Sequence, residues 1–214
     1  DFNELAAKTT LATAAGNTFL TGGEVNDISG NAFVAIASTA GKPADGFSPD
    51  KSLPSVKSYD LNVDGDKATI KVELSETVDP VKVRPERITF KGTKSDIQLL
   101  GGTVKTSLYS ATIEIELLEA DLDNLKLADL ALTASTTSIT FRSSFATDMN
   151  GNVMVATNTG LAVTKHTPDT TSPEIASFQL NLNTGKLTIK FTEPVDASTF
   201  SAVQACLQNE RVGP

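Results

Sequence analysis

Apolar and polar residues alternate with a period of two over short stretches of this chain, and turn residues separate the stretches. In Thr112-Ile113-Glu114-Ile115-Glu116-Leu117 the alternation is complete. Successive side chains of a strand point to opposite faces, so Ile113, Ile115 and Leu117 are expected in a core and both glutamates in water. Residues 56–63 alternate in the same sense through Tyr59, Leu61 and Val63; Asp64-Gly65 is a hairpin signal, and residues 68–72 read as the return strand. Residues 87–90, 103–106, 138–141 and 153–156 read as further short strands. One stretch departs from the pattern: residues 119–130 place Leu122, Leu125, Leu127 and Leu130 at a spacing that predicts one short helix on a sheet edge. About seven short strands with turns between them predict an all-β fold, a β-sandwich.

The pattern returns at long range. Pro49-Asp50 and Pro54 are answered by Pro168-Asp169 and Pro173, each 119 residues later. In the same register Ser58, Tyr59, Leu61, Asn62, Lys67, Thr69, Ile70 and Lys71 meet Ser177, Phe178, Leu180, Asn181, Lys186, Thr188, Ile189 and Lys190. After a slip of two residues, Ser75-Glu76-Thr77-Val78-Asp79 is answered by Thr192-Glu193-Pro194-Val195-Asp196. Upstream, Asp27-Ile28-Ser29-Gly30-Asn31 is answered by Asp148-Met149-Asn150-Gly151-Asn152, 121 residues later. Four stations in one order define a tandem repeat of about 119 residues, the size of a domain. Residues 51–169 are then one complete repeat, 1–50 the C-terminal part of an earlier repeat, and 170–214 the N-terminal part of the next. Neither part is expected to close a core alone. The chain is therefore read as a piece of a longer polypeptide, or as one whose partial repeats complete each other between copies by strand addition. The second arrangement is head-to-tail and non-closing, which builds a filament.

Composition narrows the function. Of 214 residues, 39% are hydrophobic and 21% charged, a globular profile. The net charge of -8 repels phosphate backbones, so nucleic acid is not an expected partner. No apolar stretch approaches the roughly 20 residues that span a bilayer, so membrane insertion is not expected. One His, one Cys and no Trp exclude histidine-pair or cysteine-cluster chemistry and an internal disulfide. The single Cys206 suits a reduced protein or an extracellular one that does not rely on disulfides.

The repeat resembles bacterial immunoglobulin-like domains of surface-layer and other cell-surface proteins. In that family a linker carrying Asp-x-x-x-Pro leads into a strand, a later strand closes on Phe-(Ser/Thr)-Glu-Pro-Val-Asp, and Asp-x-x-Gly-Asn comes near the end. The matching stretches are Asp169 to Pro173, Phe191-Thr192-Glu193-Pro194-Val195-Asp196 and Asp148-Met149-Asn150-Gly151-Asn152. The complete repeat departs at Thr77, where the family pattern has Pro. The repeats also look like those strung in large secreted proteins of algae. The resemblance implies tandem Ig-like β-sandwiches, here with one short helix per repeat, at the cell surface or outside the cell. The implied role is structural or adhesive, with neighbouring repeats or other copies of the chain as partners.

Several oxygen-rich clusters are candidate sites. Asp27 and Asn31, and likewise Asp148, Asn150 and Asn152, set oxygen donors around a glycine in a way that a hard cation such as calcium accepts. An Asx-stabilised turn with glycine at positive φ accounts for the same residues and is the preferred reading. Asp60-Leu61-Asn62-Val63-Asp64-Gly65-Asp66 has the spacing of a calcium loop, but Lys71 stands where the bidentate Glu belongs, so a hairpin is preferred. Glu76/Asp79 and Glu193/Asp196 lie three residues apart after a strand. Paired carboxylates act as acid and base in hydrolases, but recurrence in each repeat argues for a scaffold. Facing Asp50 or Asp169 across a junction, they would share a calcium ion that stiffens the array. His166 stands alone beside Pro168 and reads as solvated. The threonines of residues 133–144 suit O-glycans, though the β-propensity of Thr explains them as well.

No Ser or Thr has the neighbouring residues that activate a nucleophile. The expected function is a non-catalytic structural or adhesive segment with no cofactor other than calcium. The alternative is a carbohydrate- or surface-binding module recognising glycans; sugar platforms use exposed aromatics, and the absence of Trp with only two Tyr disfavours it.

Overall fold

The stretches with the clearest alternation become the longest strands. In the computed structural model, which describes residues 18–65, 67–208 and 210, β1 (Phe19–Leu20), β2 (Lys42–Pro43), β3 (Val56–Asn62), β4 (Thr69–Val78), β5 (Ile88–Phe90), β6 (Ile97–Gln98), β7 (Thr103–Val104) and β8 (Ser110–Glu116) precede helix α1 (Glu119–Leu127). Strands β9 (Ser138–Phe141), β10 (Leu161–Ala162), β11 (Lys165–Thr167), β12 (Ile175–Asn181) and β13 (Lys186–Phe191) follow it. The chain divides into two compact units, one ending at Asp169 and one beginning at Thr170.

In the first unit two sheets share one core. The larger has the order β11-β3-β4-β8-β7, the smaller β10-β9-β5-β6. Across the antiparallel β4–β8 pair Ile70 meets Ile115 and Val72 meets Ile113, and all four are fully buried. Tyr59 and Leu61 of β3 join them, as do Ile88, Phe90, Ile139 and Phe141 of the smaller sheet. Glu114, between the two isoleucines, is exposed. Phe141 and Phe145 meet edge to face with ring centroids 4.8 Å apart. The fold is thus mostly β, with one helix among the described residues.

Helix α1 ends earlier than its leucines suggest. Leu122 and Leu125 are buried, but Leu127 is exposed. Asp129 takes a left-handed conformation at φ 56, its N–H donates to the Lys126 carbonyl, and the Leu130 N–H donates to the Leu125 carbonyl at 2.9 Å. These bonds form a Schellman stop, with Asp where Gly is usual, and they turn Leu130 back onto Leu125 in the core. At the other end the buried Asp121 carboxylate accepts from the Leu100 N–H at 2.9 Å and the Gly101 N–H at 3.3 Å, which ties the helix to the loop after β6.

Residues 153–156 do not form the expected strand. The bridge Thr147↔Val153 is followed by backbone bonds from the Met154 N–H to the Ala146 carbonyl and from the Ser144 N–H to the Met154 carbonyl, which do not lengthen into a regular ladder. Met154 is buried nonetheless. Strands β6, β10 and β11, only two or three residues long, have no counterpart in the sequence reading.

The second unit holds the antiparallel hairpin β12–β13, and it repeats the local geometry of β3–β4. Both hairpins break register at one place, between Val56 and Ser58 and between Ile175 and Ser177. The Ser55 N–H donates to Ser75 Oγ, and the Glu174 N–H to Thr192 Oγ1, each at 2.9 Å. Asp79 caps a 3-10 turn at residues 80–82 and Asp196 one at residues 197–199. The two-residue slip lies elsewhere than the residue matches place it. Asn62 pairs with Thr69 but Asn181 with Lys186, so the second hairpin has lost two residues from its turn, and β4 and β13 align in one register throughout. Tyr59↔Val72 thus corresponds to Phe178↔Ile189, and Leu61↔Ile70 to Leu180↔Leu187.

Replacement of Leu125 by Ala is expected to destabilise the first unit by about 2–5 kcal/mol. Leu127→Ala should stay within about 0.5 kcal/mol of the parent. Urea unfolding followed by circular dichroism measures both, and comparable losses would contradict the helix end described above.

Candidate functional site

Three segments distant in sequence bring carboxylates together in the first unit. Asp50 lies in the linker before β3, where its Oδ1 accepts from the Ser52 N–H at 2.8 Å. Glu76 lies near the end of β4, in the stretch where pairing with β8 breaks register between Glu73 and Val78. Asp148 opens the turn of residues 148–152, in which Gly151 has φ 87. The linker is held against β4 by reciprocal bonds: beside the Ser55-to-Ser75 side-chain bond, the Ser75 N–H donates to the Ser55 carbonyl at 2.8 Å. Asn152 closes the third side. Its Nδ2 donates to Asp148 Oδ2 at 2.8 Å and to the Asp50 carbonyl at 3.1 Å, while its N–H donates to Asp148 Oδ1 at 2.7 Å.

One carboxylate oxygen from each of Asp50, Glu76 and Asp148 lies within 4.8 Å of the others. Asp148 is buried, and the other two are half-buried. They border an open cleft of about 500 Å³ whose walls include Ser52, Ser75, Thr77 and Asn150. Burial, and then the charges of Asp50 and Asp148, push the Glu76 carboxyl up to about 7. Three anions at this spacing in a partly desolvated place repel one another, and either a proton or a hard cation relieves the repulsion. A calcium ion takes about six to eight oxygens; these three residues would supply the charged ones.

The other candidates are placed differently. Asp27 and Asn31 form an exposed turn with the same bonds as Asp148 and Asn152: the Asn31 N–H donates to Asp27 Oδ1 at 2.8 Å and Asn31 Nδ2 to Asp27 Oδ2 at 2.7 Å. These bonds hold the Asp27 carboxyl below its usual range. Asp79 is engaged as a cap, accepting from the Val81 N–H at 3.0 Å. Asp169 forms an ion pair with Lys126 at 2.7 Å. Glu193 follows β13 in the second unit, at the place matching Glu76. In the Asp60–Gly65 stretch Asn62 Oδ1 accepts from the Asp64 N–H at 3.0 Å and Gly65 has φ 80, as in a hairpin turn; Asp66 lies outside the described residues. His166 is not solvated. It is half-buried on β11, with Nε2 at 2.8 Å from the Ala131 carbonyl oxygen. In residues 133–144, Thr137 is buried.

Sequence reasoning pairs Glu76 with Asp50 but treats Asp148 as a separate turn. The signal that links them is Asn152, whose side chain has one partner four residues away and another in the linker. Compared with protein-family models, with curated proteins and with solved structures, the chain matches none.

Because Glu76 protonates near 7 in the folded unit against 4.5 for a free side chain, the folded state holds more protons between those values. Stability therefore falls as pH rises through that window. Thermal melts at pH 5 and pH 8 are expected to show a drop in the parent that is smaller in Glu76→Gln. Identical slopes in the two proteins would place the strain elsewhere.

Proposed function

We propose that this chain is a non-catalytic structural or adhesive segment of an extracellular tandem-repeat protein, built from immunoglobulin-like β-sandwich modules that carry tension. The observation that supports this most is the pairing of β3 with β11, the first and last strands of the core-bearing part of the first unit. They run parallel, with Asp60, Leu61 and Asn62 opposite Lys165, His166 and Thr167. The pair is extended at both ends: the Thr164 N–H donates to the Tyr59 carbonyl at 2.9 Å and the Val63 N–H to the Thr167 carbonyl at 3.0 Å. In a parallel pair the chain enters at one end and leaves at the other. Pulling on the two ends therefore strains all of these bonds together in shear, where an antiparallel pair would open one bond at a time.

The repetition of the acidic turn supports the same reading. Asp27 and Asp148 make the same bonds 121 residues apart, as a scaffold element would, whereas an enzyme needs its carboxylates at one place. The resemblance to cell-surface repeats supports an extracellular location.

Stretching single molecules from their ends is the test. One cooperative rupture is expected, releasing about 110 residues at about 3.5 Å each, near 40 nm. Thr164→Pro removes one N–H donor from the parallel pair and should lower the rupture force while leaving the circular dichroism spectrum unchanged. Extension of the parent without a force peak would overturn the reading, and binding on a glycan array would favour a recognition module instead.

A further inference from the structure

We infer that the β12–β13 hairpin of one copy docks against residues 18–50 of a second copy, joining chains head to tail. Each partner exposes a face that the first unit buries at the matching place. Phe178 and Leu180 are 59% and 44% exposed, against 1% for Tyr59 and Leu61. Phe200 caps its 3-10 turn as Val83 does, yet Phe200 is exposed and Val83 buried.

The stretch 18–50 mirrors the far half of the first unit. β1 pairs with β2 across the Asp27 turn as β9 pairs with β10 across the Asp148 turn. The Phe33 N–H donates to the Val25 carbonyl as the Met154 N–H donates to that of Ala146. Phe33 and Val25 are 43% and 64% exposed, against 1% and 0% for Met154 and Ala146. An apolar pair of this kind gains free energy only by finding cover.

The first unit supplies the docking geometry. There the Asp79 N–H donates to the Thr147 carbonyl at 3.1 Å, the Arg84 N–H to the Phe145 carbonyl at 2.9 Å, and Asn152 to the Asp50 carbonyl. Carried across by position, the Asp196 N–H of one copy meets the Asn26 carbonyl of the next, and Asn31 of the next meets the Asp169 carbonyl. Residues 175–191 carry Lys186 and Lys190 and no acid, opposite Glu24, Asp27, Asp45 and Asp50 with Lys42 alone in residues 18–50, whereas Glu193 and Asp169, carried across by position, meet Asp27 and rebuild the acidic corner of the first unit. Because the two faces differ, the contact is heterologous and leaves each end of a dimer free to add another chain. Among the described residues, strands β6–β8 and α1 have no counterpart in 18–50 or 170–208, so the contact covers less than a whole unit and is reversible. The association needs only these two faces and is independent of any role under tension.

Sedimentation velocity of the full chain over a wide concentration range tests it. The parent should grow beyond dimers as concentration rises. Phe178→Asp disables one face and Phe33→Asp the other; both side chains are exposed in the single chain, and unchanged circular dichroism spectra check the fold. Each variant alone should sediment as a monomer, and an equal mixture should give dimers and nothing longer, since one intact face of each kind remains. A parent that stays monomeric at several hundred micromolar, a parent that stops at dimers, or a mixture that stays monomeric would each overturn the inference.

Discussion

An amphipathic hairpin cannot cover its own apolar face, and the architecture of this protein follows from that constraint. In β3–β4, Tyr59, Leu61, Ile70 and Val72 line one side, and hiding them requires strands from the far end of the unit. The smaller sheet supplies Ile139 and Phe141, and β11 returns more than 100 residues later to lie beside β3. The hydrophobic effect thus sets the long-range closure, and the closure sets the parallel end-strand pair. β12–β13 has an inner face of the same aromatic and aliphatic character and the same bulge, yet its face remains exposed. The difference between the hairpins lies in what stands opposite them.

The same closure brings the acidic cleft together. Linker, strand end and turn all meet at one corner because Ser55, Ser75 and Asn152 bond them there. Each segment brings a carboxylate that would be unremarkable in solvent; burial first, and then the charges of Asp50 and Asp148, shift Glu76 toward neutral pH. The corner therefore couples to pH through Glu76.

Much of the fold was legible because alternation reports burial directly. Residues 112–117 read as a strand and lie largely in β8, for the reason their pattern gives. The short strands were not legible: two or three residues carry no periodicity, so β6, β10 and β11 exist only through their partners. Residues 153–156 misled because their pairing with residues 144–147 is irregular, a bridge at Val153 and bonds at Met154 that form no ladder. The early end of α1 was hidden since Asp129, not Gly, takes the left-handed position. Of the site, Asp50 and Glu76 could be paired from the linker and strand end. Asp148 could not, because its approach is fixed by a hydrogen bond spanning 102 residues. The slip between the hairpins was misplaced because Lys and Thr recur in both strands, and only backbone pairing distinguishes the registers.

Amide hydrogen exchange compares the two hairpins most directly, since they differ in cover and little else. In dilute solution the amides of Ile70 and Val72 should be strongly protected, while those of Leu187 and Ile189 exchange orders of magnitude faster and slow down as the chain is concentrated. Equal protection in both hairpins at low concentration, or fast exchange of Leu187 and Ile189 that concentration leaves unchanged, would contradict an account in which cover from a complementary stretch decides stability.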